Sequence, residues 1–301
     1  MFAFFKALRP NQWTKNVIVL AAYLFARWDP GQQSHFEHGH VWLHVLAAMA
    51  LFCLASSGVY LINDIHDLES DRAHPVKRLR PLAAGLISVS QAWTAALVLL
   101  VVGLAGAWWL TAPFGALLGS YVVLQFAYTF GLKRVALLDV FIIAMGFVLR
   151  AIGGALAIQV RISPWLLLCT FLLALFLGLC KRRHEKRLLD NDGAQKHRAV
   201  LVHYDERLLD ILIGIAGSAT VVAYALYTLS EETVKRFHTS ALGFTIPFVI
   251  FGVFRYLDLV YRHEEGGRPE QVLLTDRVMI ATVALYTLAV LVIFLTAALG
   301  G

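Results

Sequence analysis

The 301-residue sequence predicts an all-α polytopic membrane protein with about nine transmembrane helices. Three observations carry this. Hydrophobic residues make up 59% of the chain and charged residues only 15%, where soluble domains carry roughly 25% charge. The mean hydropathy of +0.68 excludes a disordered chain, because so much apolar surface is not left in water. The apolar residues also fall into windows close to the roughly 20 residues a helix needs to cross a bilayer.

Those windows lie near 13–28, 41–62, 92–110, 113–131, 137–158, 164–180, 209–229, 241–260 and 278–299, the first and sixth being short. Lys6, Arg9 and Lys15 precede an apolar run from Val17 to Phe25 with no small-residue cleavage pattern behind it. It is therefore read as a retained first span and not a signal peptide. Pro113 and Pro164 open spans, where a missing N–H costs nothing. Pro247 falls inside the eighth and predicts a kink. Cys53, Cys169 and Cys180 sit in apolar runs without paired spacing and read as core residues. The irregularly spaced His35, His38, His40 and His44 read as a solvated outer loop.

Charge sets the orientation. With the N-terminus in the cytoplasm, 20 of the 26 Lys and Arg residues fall on inner segments. Only Arg27, Arg161, Lys235 and Arg236 lie outside, while Arg150 and Arg255 fall within spans. This asymmetry predicts N-in, C-out, and makes membrane topology, in preference to nucleic-acid binding, the reason for the net charge of +6. The inner loops 63–91, 181–208 and 261–277 are long and rich in both signs of charge, so chemistry is placed on the cytoplasmic side.

The informative stretch runs from Ser57 to Asp71. Asn63, Asp67 and Asp71 are spaced by four, which on a continuing helix stacks an amide and two carboxylates on one face, with Asp64 able to join them. Carboxylates so placed repel one another. Mg²⁺ resolves the conflict, since it takes hard oxygen ligands and typically one or two carboxylates plus substrate phosphates. His74, Pro75, Lys77, Arg78, Arg80 and Pro81 follow at once. Carboxylates next to a basic cluster suit a metal–diphosphate, whose remaining charge Lys and Arg neutralise. Tyr128, Lys133 and Arg134 close the fourth span and Asp139 opens the fifth. Lys181, Arg182, Arg183, His184 and Glu185 close the sixth, and Tyr204, Asp205, Glu206 and Asp210 open the seventh, with Glu206 and Asp210 again four apart. The last inner loop holds Gly266, Gly267, Arg268, Pro269 and Glu270, then Asp276 and Arg277. Arg150, costly in lipid, is expected to face a protein cavity or an ion-pair partner.

The NDxxDxxxD run from Asn63 to Asp71 resembles the first signature of the UbiA superfamily of intramembrane prenyltransferases. The opening Leu8-Arg9-Pro10-Asn11-Gln12-Trp13-Thr14-Lys15-Asn16 and the Lys181-to-Glu185 block are similar to its phosphoribosyl-transferring branch, as are Gly146 to Arg150 and Pro269-Glu270 with Asp276-Arg277. The resemblance covers nearly the whole chain. It implies one UbiA-like transmembrane domain over residues 1–301, with nine spans around a central cavity and a cytoplasmic cap. It implies transfer of 5-phosphoribosyl from phosphoribosyl pyrophosphate to a polyprenyl (decaprenyl) phosphate, releasing diphosphate, in cell-wall arabinan precursor synthesis at the inner membrane. It also implies Mg²⁺ on Asn63, Asp67 and Asp71, with Asp64, Asp67, Asp71, Lys77 and Arg80 catalytic. Arg9, Gln12, Lys15, Tyr128, Lys133, Arg150, Lys181, Arg182, Arg183, Tyr204, Glu206 and Asp210 are then the substrate-binding set. A homo-oligomer is compatible with this reading, and nucleic acid is not a partner. One departure stands out: the second superfamily motif is usually Asp-rich, whereas Glu206 holds its first position here, with Asp205 as the alternative.

Two competing readings remain. An ordinary prenyltransferase, with a prenyl diphosphate donor and an aromatic acceptor, needs the same Asp–Mg²⁺–diphosphate site, but the excess of inner cations favours a donor with a further phosphate. A transporter of anionic solutes predicts broken helices around a midplane polar site, whereas the polar groups here gather at one membrane face.

Overall fold

The computed structural model describes residues 2–36, 40–74, 76–192, 204–262, 267, 272 and 275–300. His38, Pro75, Lys196, Arg198, Gly266, Arg268, Pro269 and Glu270 lie outside the described residues. The described residues are mainly helical, with no strand among them. In order it forms α1 (Phe2–Ala7), a 3₁₀ segment (Pro10–Leu20), α2 (Ala21–Arg27), a second 3₁₀ segment (Pro30–Phe36), α3 (Val41–His66) and α4 (Leu68–Ala73). Then come α5 (Val89–Leu110), α6 (Ala112–Phe130), α7 (Leu138–Ala157), α8 (Pro164–Asp192), α9 (Glu206–Leu229), α10 (Glu231–Phe237), α11 (Ile246–Arg262) and α12 (Arg277–Gly300).

Eight described helices are long and apolar enough to cross a membrane, and they answer to the second through ninth sequence windows. The first window is built differently, from eleven residues of 3₁₀ helix followed by the seven of α2. Because 3₁₀ helix rises about 2.0 Å per residue against 1.5 Å for α-helix, this short run reaches about 32 Å, close to the ~30 Å hydrocarbon thickness. Side chains and backbone hold it to α3 and α7. Trp13 donates to Ser57 Oγ at 3.0 Å, and Ser57 donates in turn to the Leu8 carbonyl at 2.9 Å. A Cβ on Gly154 of α7 would lie 2.0 Å from the Val19 carbonyl oxygen, so only glycine allows this approach.

Two sequence expectations change. The basic block from Lys181 onward is not a loop: α8 carries it as helix to Asp192, as Lys, Arg, Glu and Leu are all good helix formers. Pro247 makes no mid-helix kink. A 3₁₀ turn (Ala241–Thr245) precedes α11, which begins at Ile246 and so places Pro247 in its first turn, where no intrahelical N–H is lost. Pro113 and Pro164 take the predicted helix-start positions, with Thr111 capping α6 through the Phe114 N–H at 3.2 Å.

The chain divides into two compact units, Met1–Tyr23 with His38–Val160, and Leu24–Glu37 with Arg161–Gly193 and Leu201–Gly301, so far as these are described. In the first unit α3 and α7 are the inner helices, each with 61% of its apolar window buried against 22% for α5. Gly58 lets α3 sit against Ala96 and Leu100 of α5, the small-residue contact through which membrane helices approach closely. In the second unit Phe237, Leu242 and Phe294 form a core, with Trp28 stacked on Phe294 at 5.7 Å. Tyr224 bonds Thr245 at 2.6 Å and Tyr286 at 3.2 Å, tying α9 to its neighbours.

Asp29 anchors the loop after α2 within the second unit. It accepts from Gln32 Nε2 and Arg236 Nε, both at 2.6 Å, and from the Gly31 N–H at 3.0 Å. Burial pushes its carboxyl up, but these bonds and the guanidinium charge outweigh burial and leave it below its ordinary value. A depressed carboxyl contributes stability above its unfolded value, about 4, and loses it as pH falls through the folded value. Asp29→Asn is therefore expected to cost about 1–3 kcal/mol near neutral pH. The penalty should shrink once the pH drops well below about 4, which thermal unfolding in detergent at both pH values will show.

Candidate active site

The acidic run sits where α3 ends. Asp67 leaves the helical backbone (φ −94°, ψ 8°) and α4 restarts at Leu68, yet the four-residue spacing survives. The Asp67 N–H donates to the Asn63 carbonyl at 2.9 Å and the Asp71 N–H to that of Asp67 at 2.8 Å. The side chains do not form one row. Asn63 and Asp67 point to one place, while Asp64 and Asp71 point to another.

At the first place stands Lys133. Its ammonium donates to both Asp67 oxygens, at 2.6 and 2.8 Å, and approaches Asn63 Oδ1 at 3.5 Å. At the second place stands Arg80, which bonds Asp64 Oδ1 at 3.0 Å and also pairs with Asp71. Arg9 pairs with the same Asp64 oxygen and lies 5.2 Å over the Tyr60 ring. Asp64 and Asp71 are only 4% and 2% exposed. Taking a carboxylate out of water costs several kcal/mol unless a well-placed cation and hydrogen bonds offset it, and here three cations meet three carboxylates.

Each cation comes from a different segment. Arg9 arrives from the N-terminal turn before the 3₁₀ segment, in the left-handed conformation (φ 55°, ψ 58°) that non-glycine residues seldom take. Arg80 follows the short 3₁₀ turn Lys77–Leu79, and the Lys77 N–H is held by His74 Nδ1 at 3.3 Å. Lys133 sits in the connector between α6 and α7, which closes on Leu137 with φ 67° and ψ −46°. A non-glycine residue there costs about 1–3 kcal/mol, which shows how firmly this turn is held. Tyr128 is half-buried on α6 just ahead of Lys133, and Gln12 and Lys15 are half-buried in the 3₁₀ segment.

Among the described residues no three His, Cys, Asp or Glu side chains gather closely enough to hold a metal on their own. Asn63 Oδ1 and the two Asp67 oxygens nevertheless converge on one cation, the Lys133 ammonium. This hard-oxygen set suits Mg²⁺ in the mode that completes its shell with phosphate and water. Asp71, which the sequence reading grouped with it, is turned to Arg80 by the break at Asp67.

Arg150 lies deeper, on α7, 4% exposed. It donates from Nε to Asn16 Oδ1 at 2.7 Å, from Nη1 to the Gly146 carbonyl at 2.9 Å and from Nη2 to Tyr121 OH at 2.7 Å. These partners are all neutral, so a hydrogen-bond cage stands where an ion pair was the alternative. Asn16 also donates to Cys53 Sγ at 3.2 Å and Ser56 Oγ at 3.4 Å, so this one polar residue of the first span locks it to α3 and α7.

The second unit holds the other acidic pair. Arg183 of α8 bonds Asp210 at 2.6 Å and Glu206 at 3.3 Å, both on α9, and lies 4.0 Å over the Tyr261 ring. Tyr261 donates to Asp210 at 2.7 Å. Asp205 caps α9 through the Arg207 N–H at 3.1 Å, so of the three acidic residues it is Glu206 and Asp210 that face Arg183. Arg182 is buried and pairs with Glu185, and Tyr204 is buried as well. Asp276 caps α12 through the Met279 N–H at 2.7 Å and holds Arg255 at 2.7 and 3.2 Å. Sequence reasoning missed Tyr60, Tyr121 and Tyr261, since nothing in an apolar run separates a ring that stacks on an arginine from one that faces lipid. Asn16 did carry a signal, as a lone amide within a span.

The described residues thus combine eight helices long and apolar enough to cross a membrane with an Asn–Asp run at the end of one of them, neutralised by Arg9, Arg80 and Lys133 from other segments. Residues 18–180 match the UbiA prenyltransferase family, and the chain belongs to that family. It is 39% identical over 285 residues to the decaprenyl-phosphate phosphoribosyltransferase of Mycolicibacterium smegmatis, covering 91% of this chain and 86% of that protein. The decaprenyl-phosphate phosphoribosyltransferase of Mycobacterium tuberculosis is 37% identical over 276 residues, covering 91% and 88%. In fold the chain is similar to a UbiA homolog from Archaeoglobus fulgidus bound to GPP and Mg²⁺, at a TM-score of 0.69 and 19% identity over 97% of this chain and 99% of that one.

Because Arg80 is shared, Asp64→Asn and Asp71→Asn should each be non-additive with Arg80→Met. Coupling of about 0.5–3 kcal/mol is expected in a double-mutant cycle read by denaturant unfolding. Additivity within about 0.5 kcal/mol would mean that the shared guanidinium does not join the two carboxylates.

Proposed function

We propose that this protein transfers the 5-phosphoribosyl group of phosphoribosyl pyrophosphate to a polyprenyl phosphate, with release of diphosphate, as a step toward cell-wall arabinan. The observation that carries the reading is the likeness, at 37–39% identity over 91% of the chain, to proteins named for that reaction. The gathering of Arg9, Arg80 and Lys133 on the acidic face supports it, since a donor with both a diphosphate and a further phosphate needs more cations than a metal alone supplies. The donor is water-soluble, and the distribution of Lys and Arg supports a cytoplasmic N-terminus and a site open to the cytoplasm of a cell membrane. Residues 1–301 are read as one UbiA-like transmembrane domain.

Asn63 and Asp67 would hold Mg²⁺, which when bound supplies charge that offsets the diphosphate. Lys133, Arg80 and Lys77 bind the phosphate oxygens of the donor, and Asp64 and Asp71 keep Arg80 aimed. Arg9, Gln12 and Lys15 orient the phosphate of the lipid, whose tail lies along apolar helix faces. A phosphate oxygen of the acceptor then bonds to the anomeric carbon as that carbon's bond to diphosphate breaks, and the electron pair leaves with the diphosphate. The acceptor is already an anion near neutral pH, so no strong base is required. Charge builds on the leaving group, and cations fixed beforehand stabilise it there more than in the bound substrate. Within the second unit Arg183 meets Glu206 and Asp210 in a similar mixture of charges.

Purified protein given Mg²⁺, labelled phosphoribosyl pyrophosphate and a polyprenyl phosphate is expected to carry label into the lipid phase. Asp67→Asn should lower that rate by about a hundredfold or more, the scale for losing one preorganised charge contact. Label confined to the aqueous phase, with alkylation of an aromatic acceptor by geranyl diphosphate instead, would assign the protein to prenyl transfer.

A further inference from the structure

Lys133 sits where a metal would sit. Its ammonium is chelated by both oxygens of Asp67 at 2.6 and 2.8 Å, and Asn63 Oδ1 lies 3.5 Å away. These are the oxygens that converge, and they are the oxygens assigned above to Mg²⁺. Lys133 is largely sheltered, its side chain 14% exposed, and Asp67 is 27% exposed, so the pair is held in a half-buried, low-screening place. Asp64 and Asp71 are occupied by Arg9 and Arg80. The three carboxylates and three cations of this cluster therefore balance one another. A divalent ion entering alone would have to displace the ammonium, and would leave the pocket with uncompensated positive charge. An ion entering with a diphosphate would not, because the diphosphate offers the released ammonium a new anionic partner. The flexible four-carbon stem and compact charge of Lys suit it to that exchange.

We infer that Lys133 is a resident counter-ion for the metal site: it holds Asp67 and Asn63 until a metal and a diphosphate arrive together, then passes to the phosphate. The inference rests on the metal–diphosphate reading proposed above, and it makes metal binding and donor binding cooperative. The exchange is reciprocal by linkage, so diphosphate tightens the metal by the same factor as the metal tightens diphosphate.

The test measures Mn²⁺ binding to the full-length detergent-purified protein by electron paramagnetic resonance, with and without inorganic diphosphate. Wild type is expected to bind Mn²⁺ weakly alone and about tenfold or more tightly once diphosphate is added, within the range of ordinary coupling. Lys133→Met should bind Mn²⁺ alone about tenfold tighter than wild type and lose most of the enhancement by diphosphate, while Lys133→Arg keeps a cation and retains the wild-type pattern. A second readout needs no variant. Labelling of Lys133 by an amine-reactive reagent, followed by mass spectrometry, should rise when excess Mn²⁺ is added alone and fall again with diphosphate. Mn²⁺ binding equal in wild type and Lys133→Met, or Lys133 labelling indifferent to Mn²⁺, would overturn the inference and leave the metal site standing. No Mn²⁺ binding by any form, even with diphosphate, would remove the metal reading and this inference with it.

Discussion

A carboxylate withdrawn from water at the end of a membrane helix must have its own counter-charge, and the first unit is arranged around that requirement. Asp64 and Asp71 are as sheltered as core residues, and an unpaired charge there would cost several kcal/mol, a large part of any protein's stability. The counter-charges do not come from the helix that bears the acids. They come from the turn before the first span, the turn after α4 and the α6–α7 connector, so the acidic face forms only when three separate segments dock on it. Two of those segments hold non-glycine residues at positive φ, Arg9 and Leu137. The local strain persists because the ion pairs fix where the chain must go.

The same logic explains the construction of the first span. As 3₁₀ helix it brings Arg9 to Asp64 at one end and Asn16 to Arg150 further in, while Gly154 lets its backbone lie directly against α7. Arg150 is satisfied by an amide, a carbonyl and a phenol. That leaves its positive charge without a carboxylate partner in the interior of the first unit. An enzyme working on a diphosphate gains from cations already oriented before the leaving group takes up charge, because no reorganisation is then needed at the moment of reaction.

Much of this was legible in the sequence. Of the nine windows read from length and apolarity, eight answer to described helices long and apolar enough to cross a membrane, and the Asn63–Asp71 spacing with its basic sequel points to metal and diphosphate chemistry before any relative is considered. The fate of individual side chains was not legible. A spacing of four predicts one face on an unbroken helix, but Asp67 ends α3, so Asp71 goes to Arg80 while Asn63 and Asp67 go to Lys133. The 3₁₀ form of the first span, and its contacts to Ser57 and Gly154, are likewise recorded by no local propensity. The continuation of α8 through its basic block shows the opposite case, where propensity outlasted the apolar window that marked the span.

The claim at the centre of this account is that the cations on the acidic face serve a donor with more phosphate than a prenyl diphosphate carries. Thermal unfolding in detergent tests it directly, with Mg²⁺ and either phosphoribosyl pyrophosphate or geranyl diphosphate at equal concentration. Ligand protection grows as the logarithm of ligand over Kd, about 2.7 kcal/mol at a hundredfold excess. Phosphoribosyl pyrophosphate should protect more strongly than geranyl diphosphate, and ribose 5-phosphate only weakly. Greater protection by geranyl diphosphate would contradict the account and point to a prenyl donor.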